Sequence, residues 1–185
     1  MLFVLCGPGG VGKGTVSSRL VEQIDSLDLS RSWTTRGRRE GEDSDAYVFA
    51  SREAFEKKIA EDGFLEYAEF LGNLYGTPVP DERYLTGERD LLLEIEVKGA
   101  SQVKGRFPES VIILLLPPSG EELERRLIGR GDSPEHVERR LSLAREEIVA
   151  ARSLGATDFV NVDVEETVSL ISSFISERHT GKHLI

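Results

Sequence analysis

The N-terminal segment constrains the fold more than any other part of the chain. The apolar run Leu2–Leu5 leads directly into GPGGVGKG at residues 7–14, and apolar side chains recur at helical spacing over Val11–Ile24. A short apolar run bounded by glycines predicts a buried strand, and the pattern after it predicts a helix. Glycines let successive backbone N–H groups face inward, and the helix N-terminus adds the positive end of its dipole. The sequence therefore predicts a phosphate-binding loop, with Lys13 reaching the phosphates.

The residues of this loop are the predicted ligands of a nucleotide's phosphates. They are Gly7, Pro8, Gly9, Gly10, Val11, Gly12, Lys13, Gly14 and Thr15. In many such loops the residue after the lysine is Ser or Thr, and its hydroxyl binds Mg²⁺ directly. Here that residue is Gly14, and the hydroxyl comes one position later, at Thr15. We therefore expect Mg²⁺ to be held through phosphates and water, and we predict no protein ligand to the metal.

Further apolar runs and helical patterns alternate along the chain. The other predicted strands are Leu91–Ile95, Val111–Leu116 and Phe159–Val162. The other predicted helices are Glu121–Ile128, Pro134–Leu154 and Val164 to about Arg178. The strands are continuously apolar, which is typical of parallel strands covered on both faces. The alternation predicts an α/β fold, a parallel sheet flanked by helices with the phosphate-binding loop at a strand end.

Two stretches interrupt this alternation. Residues 32–80 are rich in aromatic, glycine and charged residues and contain only short strand-like pieces, Ala46–Phe49 and Phe64–Phe70. They predict a small mixed α/β lobe inserted into the core, and the polar residues 129–138 predict a short helical lid. The predicted divisions are one domain over 1–185, its core at 1–31 and 81–185, the lobe at 32–80, the lid at 129–138 and a frayed tail at 179–185.

Composition excludes several classes of function. A formal net charge of −10 and a pI of about 4.9 argue against a protein that coats nucleic acid. The single cysteine, Cys6, rules out an intrachain disulfide and is expected to be a buried, inert thiol. The longest apolar run, Val111–Leu116, is too short to span a membrane. No basic region precedes the first apolar run, so we expect no signal peptide and a cytoplasmic location.

A second group of motifs resembles one known family. Residues 32–42, SWTTRGRREGE, are similar to the Ser-x-Thr-Thr-Arg-x-x-Arg-x-Gly-Glu signature of guanylate kinases. Further stretches resemble the family in the same order: FLEYAEF at 64–70, GNLYGT at 72–77, LEIEVKG at 93–99, PPS at 117–119, RLIGRG at 126–131 and RRL at 139–141. The resemblance runs from Leu2 to about Arg178. It departs from the family pattern at Trp33, usually a small residue, and at Glu94 and Glu96, where the family usually has Asp.

The resemblance implies transfer of a phosphoryl group from ATP to GMP, with Mg²⁺. For the phosphate of GMP it implies Arg36, Arg39, Tyr47 and Tyr75. For the guanine it implies Ser32, Glu66, Thr77 and Glu96. As catalytic residues, acting on the ATP phosphates and the transferring group, it implies Lys13, Arg126, Arg130 and Arg140. It also implies that Asn161 lies near the adenine.

The chemistry of these residue types is consistent with the same substrates. Guanine presents two adjacent donors, N1–H and an amine, which a carboxylate such as Glu66 can accept together. Adenine presents a lone pair at N1 instead, and the mismatch costs several kcal/mol. Arg36 and Arg39 can bind phosphate oxygens in bidentate fashion. The acceptor oxygen of GMP is already anionic, so transfer requires alignment and charge neutralisation rather than a general base.

Several alternatives remain open from the sequence alone. Glu94 either supports the strand end or orients metal-bound water, Asn161 could form a strand-end turn, and Tyr47 and Tyr75 could be packing residues. A related kinase acting on a phosphorylated sugar is kept open by Trp33 and Glu96. A non-catalytic binding module with this fold is the other alternative, and the intact loop lysine argues against it. The sequence does not indicate an oligomeric state.

Overall fold

Two separate β-sheets organise residues 1–39, 41–70 and 72–180, which the computed structural model describes. The strands are β1 (Leu2–Cys6), β2 (Leu27–Leu29), β3 (Trp33–Thr34), β4 (Val48–Phe49), β5 (Phe64–Phe70), β6 (Asn73–Pro78), β7 (Asp90–Glu94), β8 (Val111–Leu116) and β9 (Thr157–Val160). The helices are α1 (Lys13–Gln23), α2 (Arg52–Ala60), α3 (Glu82–Leu85), α4 (Val97–Arg106), α5 (Gly120–Gly129), α6 (Pro134–Ser153) and α7 (Val164–Thr180).

The larger sheet is parallel and carries the main core. Its order is β2-β7-β1-β8-β9, and each neighbouring pair is parallel. Along the central strand β1, Leu2, Val4 and Cys6 pack into a cluster shared with α4 and α6, whereas Phe3 and Leu5 pack into one shared with α1 and α7. The continuous apolar strands predicted from the sequence are thus covered on both faces, and the α/β fold is confirmed.

The smaller sheet has its own apolar cluster. Its order is β4-β3-β6-β5, with β3 parallel to β4 and antiparallel to β6, which is in turn antiparallel to β5. Phe55, Phe64 and Leu74 are buried beneath it, and the rings of Phe55 and Phe64 stack with centroids 4.4 Å apart. Arg106 of α4 donates to the carbonyl oxygens of Phe64 and Leu65, at 3.1 and 2.9 Å, and so ties β5 to the larger sheet's helical layer.

The elements that were predicted differ from the observed ones mainly at their ends, and several further elements were not predicted. Helix α1 begins two residues later than predicted, because Gly12 takes the left-handed φ of 100°. The last strand is Thr157–Val160 rather than Phe159–Val162, so Asn161 follows the strand. Strands β2, β3 and β6 and helices α2, α3 and α4 were not predicted. Elements β2, β3 and α3 are very short, and α4 contains two glycines of low helix propensity.

The predicted lid, 129–138, corresponds to the turn between α5 and α6 together with the first turn of α6. Ser133 caps α6 by accepting from the backbone N–H of His136, at 3.4 Å. Helix α7 continues to Thr180, and the rest of the predicted frayed tail, 181–185, lies outside the described residues. Within the described part of the chain, no helix combines the length and the apolar character needed to cross a membrane.

Candidate active site

One cleft brings together most of the predicted site residues. It has a volume of about 290 Å³ and lies between the carboxyl ends of β1 and β7, the smaller sheet and the α5–α6 turn. The predicted residues that line it are Gly9, Gly10, Gly12, Lys13, Gly14, Ser32, Arg36, Arg39, Tyr47, Glu66, Tyr75, Glu96, Arg130 and Arg140. The predicted residues that are not among its lining residues are Gly7, Pro8, Val11, Thr15, Thr77, Arg126 and Asn161.

The glycine-rich loop turns back on the sheet in a way that only glycine allows at its first position. Gly7 has φ 145°, and a Cβ there would lie 2.2 Å from the carbonyl oxygen of Leu115 in β8. The loop then delivers the chain into α1, whose first N–H groups have no partner within the helix. The Nζ of Lys13 donates to the carbonyl oxygen of Gly7 at 2.6 Å, so the ammonium group lies over the loop. Amide donors and a cation at one end of the cleft suit a polyphosphate.

Arg126 and Asn161 contact the backbone of the loop. The carbonyl oxygen of Val11 accepts from the Nδ2 of Asn161 at 2.8 Å and from the Nη1 of Arg126 at 3.2 Å. The Nε of Arg126 donates to the Oε1 of Glu122 at 2.7 Å. These two side chains thus contact the backbone of the loop at Val11 and are not among the residues that line the cleft.

The other two arginines of the predicted catalytic group line the cleft. Arg130 follows the last residue of α5, and Arg140 lies on α6. The Nη1 of Arg140 is 3.1 Å from the point where a Cβ of Gly9 would lie, so its guanidinium reaches the loop. Its Nε is 3.8 Å from Asp132 in the connecting turn. Two cations from the α5–α6 region thus face the same space as Lys13.

On the smaller sheet, an ion pair fixes one of the predicted phosphate-binding arginines. Arg36 donates to both carboxylate oxygens of Glu42, at 2.6 and 3.0 Å, and Glu42 also accepts from the backbone N–H of Arg39 at 2.9 Å. These hydrogen bonds raise the pKa of Arg36 and lower the pKa of Glu42. The Cζ of Arg36 is 5.6 Å from the centre of the Tyr47 ring, whose centre is 6.3 Å from that of Tyr75. Burial raises the pKa of Tyr47, so its hydroxyl remains a donor.

Glu66 is a buried carboxylate that points into this cleft. Only 7% of it is exposed, and its Oε1 accepts from the Oγ1 and backbone N–H of Thr77, at 2.6 and 3.1 Å. Burial raises the pKa of Glu66, and the two hydrogen bonds from Thr77 oppose that rise. A Cβ on Gly99 would lie 2.7 Å from the Oε2 of Glu66, so this glycine leaves room for the carboxylate. Both bonds from Thr77 go to Oε1, so Oε2 is suited to donors on a ligand.

Further carboxyl groups surround the loop end of the cleft. The Oγ of the buried Ser17 donates to the Oε2 of Glu94 at 2.7 Å. This bond fixes the Glu94 side chain at the end of β7. Glu96 lines the cleft, and Glu147 of α6 lies close enough to interact with it. Burial and the neighbouring charge of Glu96 raise the pKa of Glu147 to about 7, although Lys13 and Arg140 act in the opposite direction. Glu147 is therefore largely protonated below neutral pH.

The described residues contain no group of three or more His, Cys, Asp or Glu side chains that could hold a metal ion by themselves. Gly14 offers no hydroxyl at the position where many phosphate-binding loops supply one. At this position of the loop, a divalent ion bound with a nucleotide would therefore have phosphates and water as ligands rather than a side-chain hydroxyl.

Sequence reasoning missed several residues that the structure brings to the site. Glu42 lay within the quoted motif, and its spacing from Arg36 could have suggested an ion pair. Gly99 lies three residues after Glu96 in the matched strand-end motif, but its contact with Glu66 joins two distant parts of the chain, which no local sequence pattern indicates. Glu122 and Glu147 lie in amphipathic helices among many other charged residues, and no signal distinguishes them.

The fold and the site together define a class of protein. A glycine-rich loop with a lysine follows the central strand of a parallel sheet, lid-region arginines face it, and a second sheet with an arginine and a buried carboxylate closes the same cleft. This is the arrangement of a P-loop kinase fold, built to hold two anionic substrates together.

Comparison with known proteins gives the family. The family model for guanylate kinase matches residues 1–178. The chain is 52% identical over 173 residues to the guanylate kinase of Thermus thermophilus, covering 91% of this chain and 77% of that protein. It is 45% identical over 184 residues to the guanylate kinase of Halalkalibacterium halodurans, covering 97% and 89%. A crystal structure of guanylate kinase from Anaplasma phagocytophilum matches with a TM-score of 0.79 at 32% identity, covering 96% and 85%. The chain belongs to the guanylate kinase family.

Proposed function

We propose that this protein transfers the γ-phosphoryl group of ATP to GMP, giving ADP and GDP. Membership of the guanylate kinase family supports the reaction. The observation that carries the assignment to this site is that a phosphate-binding loop and a buried, oriented carboxylate open into one cleft. The alternatives, a sugar-phosphate kinase and a binding module, are not favoured by these findings.

The GMP side of the cleft is proposed to be the smaller sheet. Glu66 accepts the N1–H and amine of guanine, with Ser32, Thr77 and Glu96 as further contacts or supports. The carboxylate of Glu66 is already held by Thr77, so little orientation remains to be lost when GMP binds. Adenine would place a lone pair against this buried charge, which is the physical basis for guanine selection.

The phosphate of GMP is proposed to bind Arg36, Arg39, Tyr47 and Tyr75. All four line the same end of the cleft, and Glu42 holds the guanidinium of Arg36 in a fixed plane. A planar guanidinium that is already oriented presents paired donors to phosphate oxygens without a further loss of side-chain freedom.

The ATP side is proposed to be the loop from Gly7 to Thr15, with Lys13, Arg130 and Arg140 around the transferring group. The attacking GMP oxygen is anionic near neutral pH, so no general base is required. Lys13 and the two arginines neutralise charge that builds on the moving phosphoryl group. When bound, a divalent ion, which we propose to be Mg²⁺, supplies further charge neutralisation on the ATP phosphates.

We also propose that catalysis follows closure of two parts of a single domain. The lobe at 32–80 would close on GMP and the lid at 129–138 on ATP, over a core formed by 1–31 and 81–185. Closure excludes water, which would otherwise compete with GMP for the phosphoryl group.

The test is a coupled assay of ADP release with ATP and Mg²⁺, offering GMP, dGMP, AMP, CMP, UMP and a phosphorylated pentose in parallel. We expect turnover with guanine nucleotides, and a loss of about a thousandfold or more in Lys13→Ala. Lys98→Ala, which removes an exposed lysine outside the cleft, is the matched control and should retain activity. Turnover of the pentose but not GMP would refute the substrate assignment. Tight GMP binding without turnover would identify a binding module instead.

A further inference from the structure

The carbonyl group of Val11, in the middle of the phosphate-binding loop, is held from two directions. Asn161, which follows β9, donates its Nδ2 at 2.8 Å, and Arg126 of α5 donates its Nη1 at 3.2 Å. In a trans peptide the C=O of one residue and the N–H of the next point in opposite directions. Holding the Val11 carbonyl outward therefore aims the N–H of Gly12 toward the interior of the loop, where a phosphate oxygen would lie.

The side chain of Asn161 is committed to this contact at both of its ends. Its Nδ2 donates to Val11, and its Oδ1 lies 3.2 Å from the Oγ1 of Thr167 in α7. The single proton of that hydroxyl is shared with the backbone carbonyl oxygen of Asp163, which is closer, at 2.6 Å. The residue is only 3% exposed. A Cβ on Gly12 would lie 2.8 Å from its Nδ2, so glycine at this position permits the close approach. The amide is thus turned toward the loop rather than toward the cleft.

Arg126 is held in the same manner from the other side. Glu122, one helical turn earlier in α5, accepts from its Nε at 2.7 Å. Its Nη2 donates to the backbone carbonyl oxygen of Asn161 at 3.1 Å, so that Arg126 bridges Asn161 and Val11. The Arg126 guanidinium therefore donates three hydrogen bonds within the protein, to Glu122, Val11 and Asn161.

We infer that Thr167 and Glu122 are positioning residues for the phosphate-binding loop, which orient Asn161 and Arg126 so that these two act on ATP through the Val11 carbonyl. This inference rests on the proposed function of the loop in binding ATP. It differs from the roles implied by family resemblance, in which Asn161 lies near the adenine and Arg126 acts on the phosphates directly. Because Asn161 and Arg126 hold the loop backbone rather than the base, loss of either contact should weaken binding of any polyphosphate, with or without a base.

Inorganic tripolyphosphate, which has no base, is therefore the decisive probe, and its binding is measured by titration calorimetry. We expect Asn161→Leu to weaken binding about tenfold, the size expected for losing one buried hydrogen bond. Thr167→Val should weaken it less, about threefold, because the Thr167 proton is shared with the carbonyl oxygen of Asp163. Thr167→Ser, which keeps the hydroxyl, should restore it. Ser173→Ala is the matched control, because this exposed α7 hydroxyl makes a comparable bond to the carbonyl four residues earlier, at 3.0 Å, away from the loop.

Glu122→Gln tests the second arm, with the exposed Glu124→Gln as its control on the same helix. We expect Glu122→Gln to weaken tripolyphosphate binding about threefold and Glu124→Gln to leave it unchanged. In the kinase assay, Asn161→Leu, Thr167→Val and Glu122→Gln should raise KM for ATP by the same factors and leave KM for GMP unchanged.

The outcomes separate the possible roles. Weaker ATP binding with unchanged tripolyphosphate binding in Asn161→Leu would overturn the inference and favour a direct contact with the adenine. Unchanged binding of both ligands in Thr167→Val and Glu122→Gln would also overturn it, and these two variants decide the matter if Asn161→Leu does not fold. The calorimetric arm uses no GMP, so a failure of the proposed guanylate kinase activity would be detected separately, in the wild-type assay.

Discussion

Replacing Thr77 by Val tests how this protein keeps a buried carboxylate ready for guanine. Thr77 is fully buried, and Val has nearly its shape, so the substitution removes the hydroxyl with little change in packing. The backbone N–H of Thr77 remains as a donor to Glu66 at 3.1 Å, but the shorter bond from Oγ1, at 2.6 Å, is lost. The perturbation is therefore confined to one of the two bonds that hold Glu66.

The expected magnitude follows from that lost bond. A hydrogen bond to a charged group contributes about 1.5–3 kcal/mol, and the remaining N–H donor favours the lower part of this range. We expect KM for GMP to rise about tenfold to thirtyfold, with kcat and KM for ATP nearly unchanged. The hydroxyl also opposes the effect of burial on the pKa of Glu66, so its loss raises that pKa further. The ionised form, which guanine requires, then becomes more populated as pH rises, and KM for GMP in the variant should fall with increasing pH more steeply than in the wild type.

The assay is coupled ADP release at saturating ATP, with GMP titrated at several pH values from about 6 to 9. Ionisation of the GMP phosphate affects variant and wild type alike and cancels in their ratio. Thr77→Ser retains a hydroxyl and should behave like the wild type. A KM for GMP within about twofold of the wild type would refute the reasoning, since the lost bond would then contribute nothing. An increase that is the same at every pH would indicate that Thr77 acts on guanine directly rather than through Glu66.

Two further predictions concern stability. Gly7→Ala places a Cβ 2.2 Å from the Leu115 carbonyl oxygen at a left-handed φ, and it should lower the free energy of unfolding by about 3 kcal/mol or more in urea titrations. In the control Gly9→Ala, the new Cβ meets only the flexible Arg140 side chain, at 3.1 Å, so the loss should be much smaller. Equal losses in the two variants would contradict this account. The pKa of Glu147 is about 7 in the folded protein against an ordinary 4.5, so folding takes up a proton and stability falls as pH rises from about 4.5 to about 7. Glu147→Gln should therefore gain stability relative to the wild type across this window, and a difference independent of pH would exclude the raised pKa.

The parts of this fold that could be predicted from sequence are those encoded by local patterns. The runs at Leu2–Leu5, Leu91–Ile95 and Val111–Leu116 are continuously apolar, and strands of a sheet covered on both faces have to be. The glycines before Lys13 likewise indicated the loop, because few sequences allow such a turn between a strand and a helix. Where the local signal was weak, as in the short β2 and the glycine-containing α4, the elements were missed, since contacts with the larger sheet stabilise them more than propensity does.

The candidate site divides in the same way. Motif resemblance listed the residues around the cleft, and the structure brings most of them together. It could not indicate that Glu66 pairs with Thr77, because that contact depends on the antiparallel register of β5 and β6. Nor could it indicate that Glu147 lies against Glu96, since α6 and the end of β7 are far apart in the chain.

The loop shows most clearly where the information in the sequence ends. Residues 7–14 determine by themselves that the backbone can form a phosphate-binding turn, because glycine's conformational freedom is a local property. The hydrogen-bond partners of the Val11 carbonyl are Asn161, 150 residues later in the chain, and Arg126, 115 residues later. A polar group's partner is set by which surfaces pack together, and only the tertiary structure decided that these two side chains meet at the Val11 carbonyl.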